Sequence, residues 1–142
     1  MKKIIALDAG TQTGIAIYNS DTQKFEVLKT TDFWKAHDFI LQNYTPDTAQ
    51  IVIEVPNSKR KIYARLDNTP QGAYRERIAA NVGSARREAE LLSNRFESLG
   101  FDVSRVTPST RKWNAQMLAK RAGISERTSQ HCRDAVKLIF ER

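Results

Sequence analysis

The sequence predicts an α/β fold, a mixed five-stranded sheet with helices on both faces, and three observations carry that prediction. Apolar runs from Ile4 to Leu7 and from Ile15 to Tyr18 flank Asp8, Gly10 and Gly14, the pattern of a β-hairpin. A continuous apolar run, Ile51-Val-Ile, suits a strand buried on both faces. From Arg75 to Leu99, residues Ile78, Val82, Ala85, Ala89, Leu92, Phe96 and Leu99 alternate spacings of four and three, which is a helix stripe.

The remaining elements follow in order. Asn19-Ser-Asp-Thr is a turn, and Lys24 to Thr31 alternates as a third strand. Thr31 or Asp32 caps a helix from Phe33 to about Asn43, with Phe33, Trp34, Phe39, Ile40 and Leu41 as its apolar residues and Pro46 beyond its end. After the buried run, residues 57–74 lose all periodicity, and a loop of that length is usually functional. Gly100 stops the long helix, Phe101 to Thr107 forms a last strand, and Thr110 to Arg121 is a short helix closed by Gly123. Ser125 caps a final helix whose apolar side holds Cys132, Ala135, Val136, Ile139 and Phe140. The order β-β-β-α-β-α-β-α-α requires three antiparallel strands followed by crossovers that add parallel ones.

Composition narrows the class. The chain of 142 residues is expected to be a single domain, with 40% hydrophobic and 27% charged residues. No apolar run approaches the ~20 residues that span a bilayer, and the short run after Met1-Lys2-Lys3 ends in Asp8 rather than a signal peptide, so a cytoplasmic protein without membrane contact is expected. One cysteine, Cys132, rules out an internal disulfide and is expected to be buried. The net charge of +7 is concentrated: residues 57–112 hold 12 Lys and Arg against 6 Asp and Glu. That imbalance points to a polyanionic partner, nucleic acid before membrane.

Three acidic residues fall at informative places. Asp8 ends the first strand, Glu54 ends the buried strand expected beside it, and Asp134 lies in the first turns of the last helix, three residues after His131. Alone, Asp8 would cap a turn, Asp134 would be solvated and His131 would sit on a helix surface. Glu54 is harder to dismiss, because a carboxylate near the end of a buried strand costs several kcal/mol unless paired or bound to metal. Gathered together, such carboxylates repel unless a divalent cation neutralises them, and hard oxygen donors select Mg²⁺ or Mn²⁺. Two such ions per site form the usual clamp for attack of water on a phosphodiester.

Asp8-Ala-Gly-Thr-x-x-Gly-Ile-Ala, Ile51-x-Ile-Glu54-x-Pro and His131-x-x-Asp134-Ala together resemble the RuvC branch of the RNase H-like nucleases, in element order over nearly the whole chain. Thr107-Pro-Ser-x-x-Lys112 is similar to that family's segment where a lysine approaches the DNA near the cut. The resemblance implies a homodimeric endonuclease that resolves four-way Holliday junctions by paired nicks, with Asp8, Glu54, His131 and Asp134 as metal ligands and Lys112 at the scissile phosphate. It also implies that the 75–99 helix contributes to the dimer interface and that the preceding basic loop meets the junction. The short chain and the more basic loop after Glu54 suit a phage-type member. His131 stands where many relatives carry a fourth acid, as a ligand or as a group acting on water. An imidazolium there would repel metal, so activity is expected to fall below pH ~6.5.

For DNA contact the sequence offers Lys59, Arg60 and Lys61 with Tyr63 and Arg65 interleaved, a phosphate-gripping and base-stacking pattern that would otherwise be a solvated loop. Arg75 and Arg77 oppose the positive end of the long helix, which a bound phosphate would relieve. Other readings compete. A flap or fork nuclease would use the same metal site. The YqgF-like enzymes of ribosomal RNA processing lack an acid where Glu54 stands. The actin and sugar-kinase ATPases share Asp-x-Gly-Thr but pair two such domains, and a non-catalytic junction-binding module would have no use for three acids.

Overall fold

A computed structural model describes residues 2–56, 72–107 and 112–141, with side chains in the 72–98 helix described from Ser84 onward. The strands are β1 (Lys3–Asp8), β2 (Gln12–Asn19), β3 (Lys24–Asp32), β4 (Ala49–Glu54) and β5 (Val103–Val106). The helices are α1 (Phe33–Asn43) after β3, α2 (Gly72–Ser98) after β4, then α3 (Ala115–Ala122) and α4 (Gln130–Glu141). They form one open mixed sheet in the order β3-β2-β1-β4-β5, antiparallel through β3, β2 and β1 and parallel from β1 to β5.

Alternation along the strands sorts the core into two halves. Ile5, Leu7, Ile15, Ile17, Ile51 and Ile53 face Ala36 and Ile40 of α1 and Ala89, Leu92 and Phe96 of α2. The other face presents Ile4, Ala6, Ala16 and Val52 to Trp113, Leu118, Ala135, Val136 and Ile139, which belong to α3, α4 and the segment before them. Residues 8, 14 and 54 continue the second parity. The sheet's own period therefore aims Asp8, Gly14 and Glu54 at α4.

Local signals fix the helix ends. Asp32 caps α1 by accepting from Lys35 N–H at 2.9 Å. At the end of α2, Gly100 has φ +96°, its N–H donates to Glu97 O at 3.0 Å, and Phe101 N–H donates back to Phe96 O at 3.0 Å. This is a Schellman closure, with the rings of Phe96 and Phe101 5.6 Å apart as its apolar clasp.

Several sequence expectations are corrected. The final helix starts at Gln130, not after Ser125: Ser129 Oγ accepts from Cys132 N–H at 3.1 Å, so Ser129 is the working cap. The short helix starts at Ala115 because Asn114 accepts from Met117 N–H at 2.8 Å, leaving Trp113 before it. Trp34, expected among the apolar residues of α1, is 67% exposed, because α1 buries Ala36, His37 and Ile40 instead. Cys132 is buried, as expected, and the surroundings push its thiol up to about 11 by burial first.

Candidate active site

Asp8 and Gly14 sit directly opposite each other in the β1–β2 ladder, and Leu7 pairs with Ile53 in the parallel β1–β4 ladder, one step before Glu54. Asp8 and Glu54 thus end adjacent strands on one face, while α4 crosses β1, β2 and β4 on that face. The crossing is close only because residue 14 has no side chain. A β-carbon there would lie 2.1 Å from His131 O and 2.4 Å from its carbonyl carbon, so backbone rests on backbone. That contact delivers the first turn of α4 to the strand ends. His131 Nδ1 stands 3.1 Å from Asp8 Oδ2, and Asp134, 4% exposed, lies one turn further on the same helix face.

The segment before α3 is pinned to α4 through one carbonyl. Trp113 O accepts from Gln130 Nε2 at 3.3 Å and from Arg133 Nε at 3.2 Å, while the buried indole packs 5.4 Å from Phe140. This holds Lys112 beside the acids, with its Nζ donating to Asp134 Oδ2 at 2.9 Å. Gln130 Nε2 donates to the other oxygen, Asp134 Oδ1, at 2.8 Å. Both oxygens of a nearly buried carboxylate are therefore held by donors of this chain.

The electrostatics report one shared anionic site. Glu54 is pushed up to about 7, first by burial and then by Asp8, with Asp134 adding to the effect and Lys112 and Lys137 opposing it. Asp8 is also raised, again by burial first, against the hydrogen bond from His131. Burial works against the Lys112 ammonium, yet the bond to Asp134 and the charges of Glu54 and Asp8 hold it above the ordinary lysine value. Glu54 and Asp8 are each harder to ionise where they sit, through burial first and neighbouring acids second, which is the condition a bound cation relieves.

The donor set fits a hard divalent cation: Asp8, Glu54 and Asp134 supply oxygens and His131 a nitrogen. As placed, however, no three such groups among the described residues stand close enough to hold an ion. Asp134 is engaged with Lys112 and Gln130 instead.

Of the other sequence-derived residues, Lys59, Arg60, Lys61, Tyr63 and Arg65 lie outside the described residues. Arg75 and Arg77 lie in the first two turns of α2, and their side chains are outside the described ones. Further along, Arg86 Nε donates to Glu90 Oε1 at 3.2 Å, an ordinary surface pair. Three residues near the acids escaped the sequence reading. Gln130 and Lys137 stand four before and three after Asp134, the same helical spacing that links His131 to it, and Lys137 is 1% exposed. From the opposite face, Glu88 of α2 brings Oε2, buried and without a hydrogen-bond partner among the described residues, to 4.0 Å from where a β-carbon of Gly10 would stand.

No family model matches the chain, and no curated protein does either. Among the described residues no helix is long and apolar enough to cross a membrane.

Proposed function

We propose that the protein is a metal-dependent, structure-selective endodeoxyribonuclease of RNase H-like, RuvC-type architecture that resolves four-way DNA junctions in the cytoplasm as a homodimer. The reading rests on the three-motif resemblance, and one structural observation supports it most: Asp8, Glu54 and Asp134, spread over 126 residues of sequence, come from three elements to one end of the sheet, where burial and then the neighbouring acids raise the cost of charge on Asp8 and Glu54. A structural role for that arrangement is hard to find, because it lowers stability.

In this reading Asp8, Glu54 and Asp134 hold two Mg²⁺ or Mn²⁺ ions, with His131 beside Asp8. Such a pair of ions supplies an activated water and offsets charge building on the phosphate. The chain's own residues do the rest. Lys112 brings a cation to the scissile phosphate, where it matters most in the transition state. Asp134 is buried and Glu54 half-buried, which limits the water that reaches the acids. The basic stretch 59–65 and the start of α2 grip the junction arms, and α2 contributes to the dimer interface.

The test compares four-way junction, flap, fork, linear duplex and structured RNA in the presence of Mg²⁺. The junction is expected to be cut in preference, with paired nicks, while Asp8→Asn abolishes cutting and leaves binding largely intact. A junction left whole while RNA or flaps are processed would replace this reading with one of the related nucleases. Binding without any cleavage would leave a junction-binding module.

A further inference from the structure

Lys112 and Asp134 make an unequal pair. The lysine side chain is 60% exposed and reaches inward from solvent, whereas the Asp134 side chain is 5% exposed and anchored on α4. A nearly buried carboxylate demands a partner, and an exposed ammonium can leave at little cost in desolvation. As the site stands, no three candidate ligands among the described residues are grouped to hold an ion, and Asp134 is the acid that carries an ammonium on one of its oxygens. The ammonium occupies a place that a metal ion would otherwise compete for.

We propose that Lys112 is a displaceable internal counter-ion: it holds Asp134 Oδ2 in the protein alone and releases it when a nucleic-acid phosphate draws the ammonium outward, so that metal loading is coupled to DNA occupancy. The proposal rests on the nuclease reading and adds its regulation. Lys112 alternates between carboxylate and phosphate, both anionic oxygen acceptors of charge-assisted hydrogen bonds. Lys137, 1% exposed, stays as the fixed cation, and Gln130 keeps Asp134 Oδ1 oriented throughout. By linkage, whatever factor DNA adds to metal affinity, metal adds to DNA affinity. The consequence is a nuclease whose site takes up metal more readily once it holds its substrate.

The experiment is a Mn²⁺ titration of the DNA-free protein by calorimetry, comparing wild type, Lys112→Met and Lys112→Arg. Methionine keeps the aliphatic stem and removes the charge, and the exposed position leaves folding intact, checked by the melting temperature. Removing one charge-assisted competitor is expected to tighten Mn²⁺ binding about tenfold in Lys112→Met, with Lys112→Arg close to wild type. Added four-way junction, with Ca²⁺ as the binding probe, should tighten ion binding in wild type and do so much less in Lys112→Met. Equal or weaker Mn²⁺ binding by Lys112→Met overturns the displacement while the metal site stands. Failure of wild type and Lys112→Met alike to bind Mn²⁺ overturns the metal-dependent nuclease reading as well.

Discussion

The carbonyl oxygen of His131 lies 2.1 Å from the point where a β-carbon on Gly14 would stand. That single approach sets the depth at which α4 meets the sheet, and with it the distances from His131 and Asp134 to the acid at the end of β1. No side-chain rotation relieves the clash, because both partners are backbone. Gly14→Ala is therefore expected to destabilise the fold by about 3 kcal/mol, measured by urea unfolding, through overpacking of a close-fitted layer. Gly123→Ala is the control: its β-carbon meets nothing within 4 Å, and the φ of +70° alone should cost about 1 kcal/mol. Equal losses at the two positions would mean that α4 yields easily and that its depth is not set by Gly14.

Glu54 gives the second prediction, with its sign fixed by the direction of its shift. Folding raises this carboxyl from its ordinary 4.5 to about 7, so between those values the native state holds a proton that the unfolded chain has lost. Stability contributed by this group is complete below pH ~4.5, falls as pH rises, and is gone above pH ~7. Glu54→Gln removes the penalty. At pH 8 without metal it is expected to be more stable than wild type by on the order of 2–3 kcal/mol, with the two converging toward pH 5. The same variant should be inactive, so that stability and activity move in opposite directions. A loss of stability at pH 8 would show that the charge is already compensated within the protein.

The strands, the part of the α2 stripe formed by Ala89, Leu92 and Phe96, and the Asp8–Glu54 adjacency were legible because each is written in local periodicity or in the parallel pairing that a crossover dictates, whereas Leu99 at the end of that stripe is 38% exposed. Helix ends were less so. Ser125 and Ser129 are both good caps, and the choice between them depends on Trp113 O and Thr128 O, which bind Arg133 and hold residues 125–129 out of the helix. The role of Gly14 was hidden for a related reason. A glycine after a turn reads as turn chemistry, and only the pairing with Asp8 together with the path of α4 reveals a contact 117 residues away in sequence. Lys112's bond to Asp134 was likewise invisible, since it depends on the Trp113 carbonyl being clasped by α4.

Metal addition supplies a third prediction. A cation bound among Asp8, Glu54 and Asp134 must displace the proton that Glu54 retains below pH ~7, so apparent affinity rises with pH up to that value and then levels. Mg²⁺ at a hundred times its dissociation constant should stabilise the protein by about 2.7 kcal/mol, seen as a higher melting temperature. The increment should shrink on going from pH 8 to pH 6 at fixed Mg²⁺. It should vanish in Asp8→Asn, and chelation should return wild type to its metal-free melting point. A pH-independent increment would place the ion elsewhere on the protein.

The last prediction concerns the partner copy. On the face away from the acids, Trp34 is 67% and Leu91 50% exposed, and with Phe33, His37, Leu92 and Arg95 they line a groove of about 400 Å³ along α2. If α2 joins two copies, these residues lie where an isologous contact of about 1,200–2,000 Å² would centre its apolar patch. Leu91→Glu puts a charge into both halves of such a contact at once, and its half-exposed position leaves the monomer core untouched. Sedimentation should then change from dimer to monomer with little shift in melting temperature. The chemistry offers a sharper readout, because paired nicks require two active sites on one junction. On a supercoiled plasmid with an extruded cruciform, wild type should yield mainly linear product, from both strands cut before the junction is released. Leu91→Glu should yield nicked circle, since the first cut relaxes the plasmid and reabsorbs the cruciform before a second monomer arrives. Linear product from a monomeric variant would disconnect paired cutting from dimerisation, and a variant that stays dimeric would move the interface off this groove.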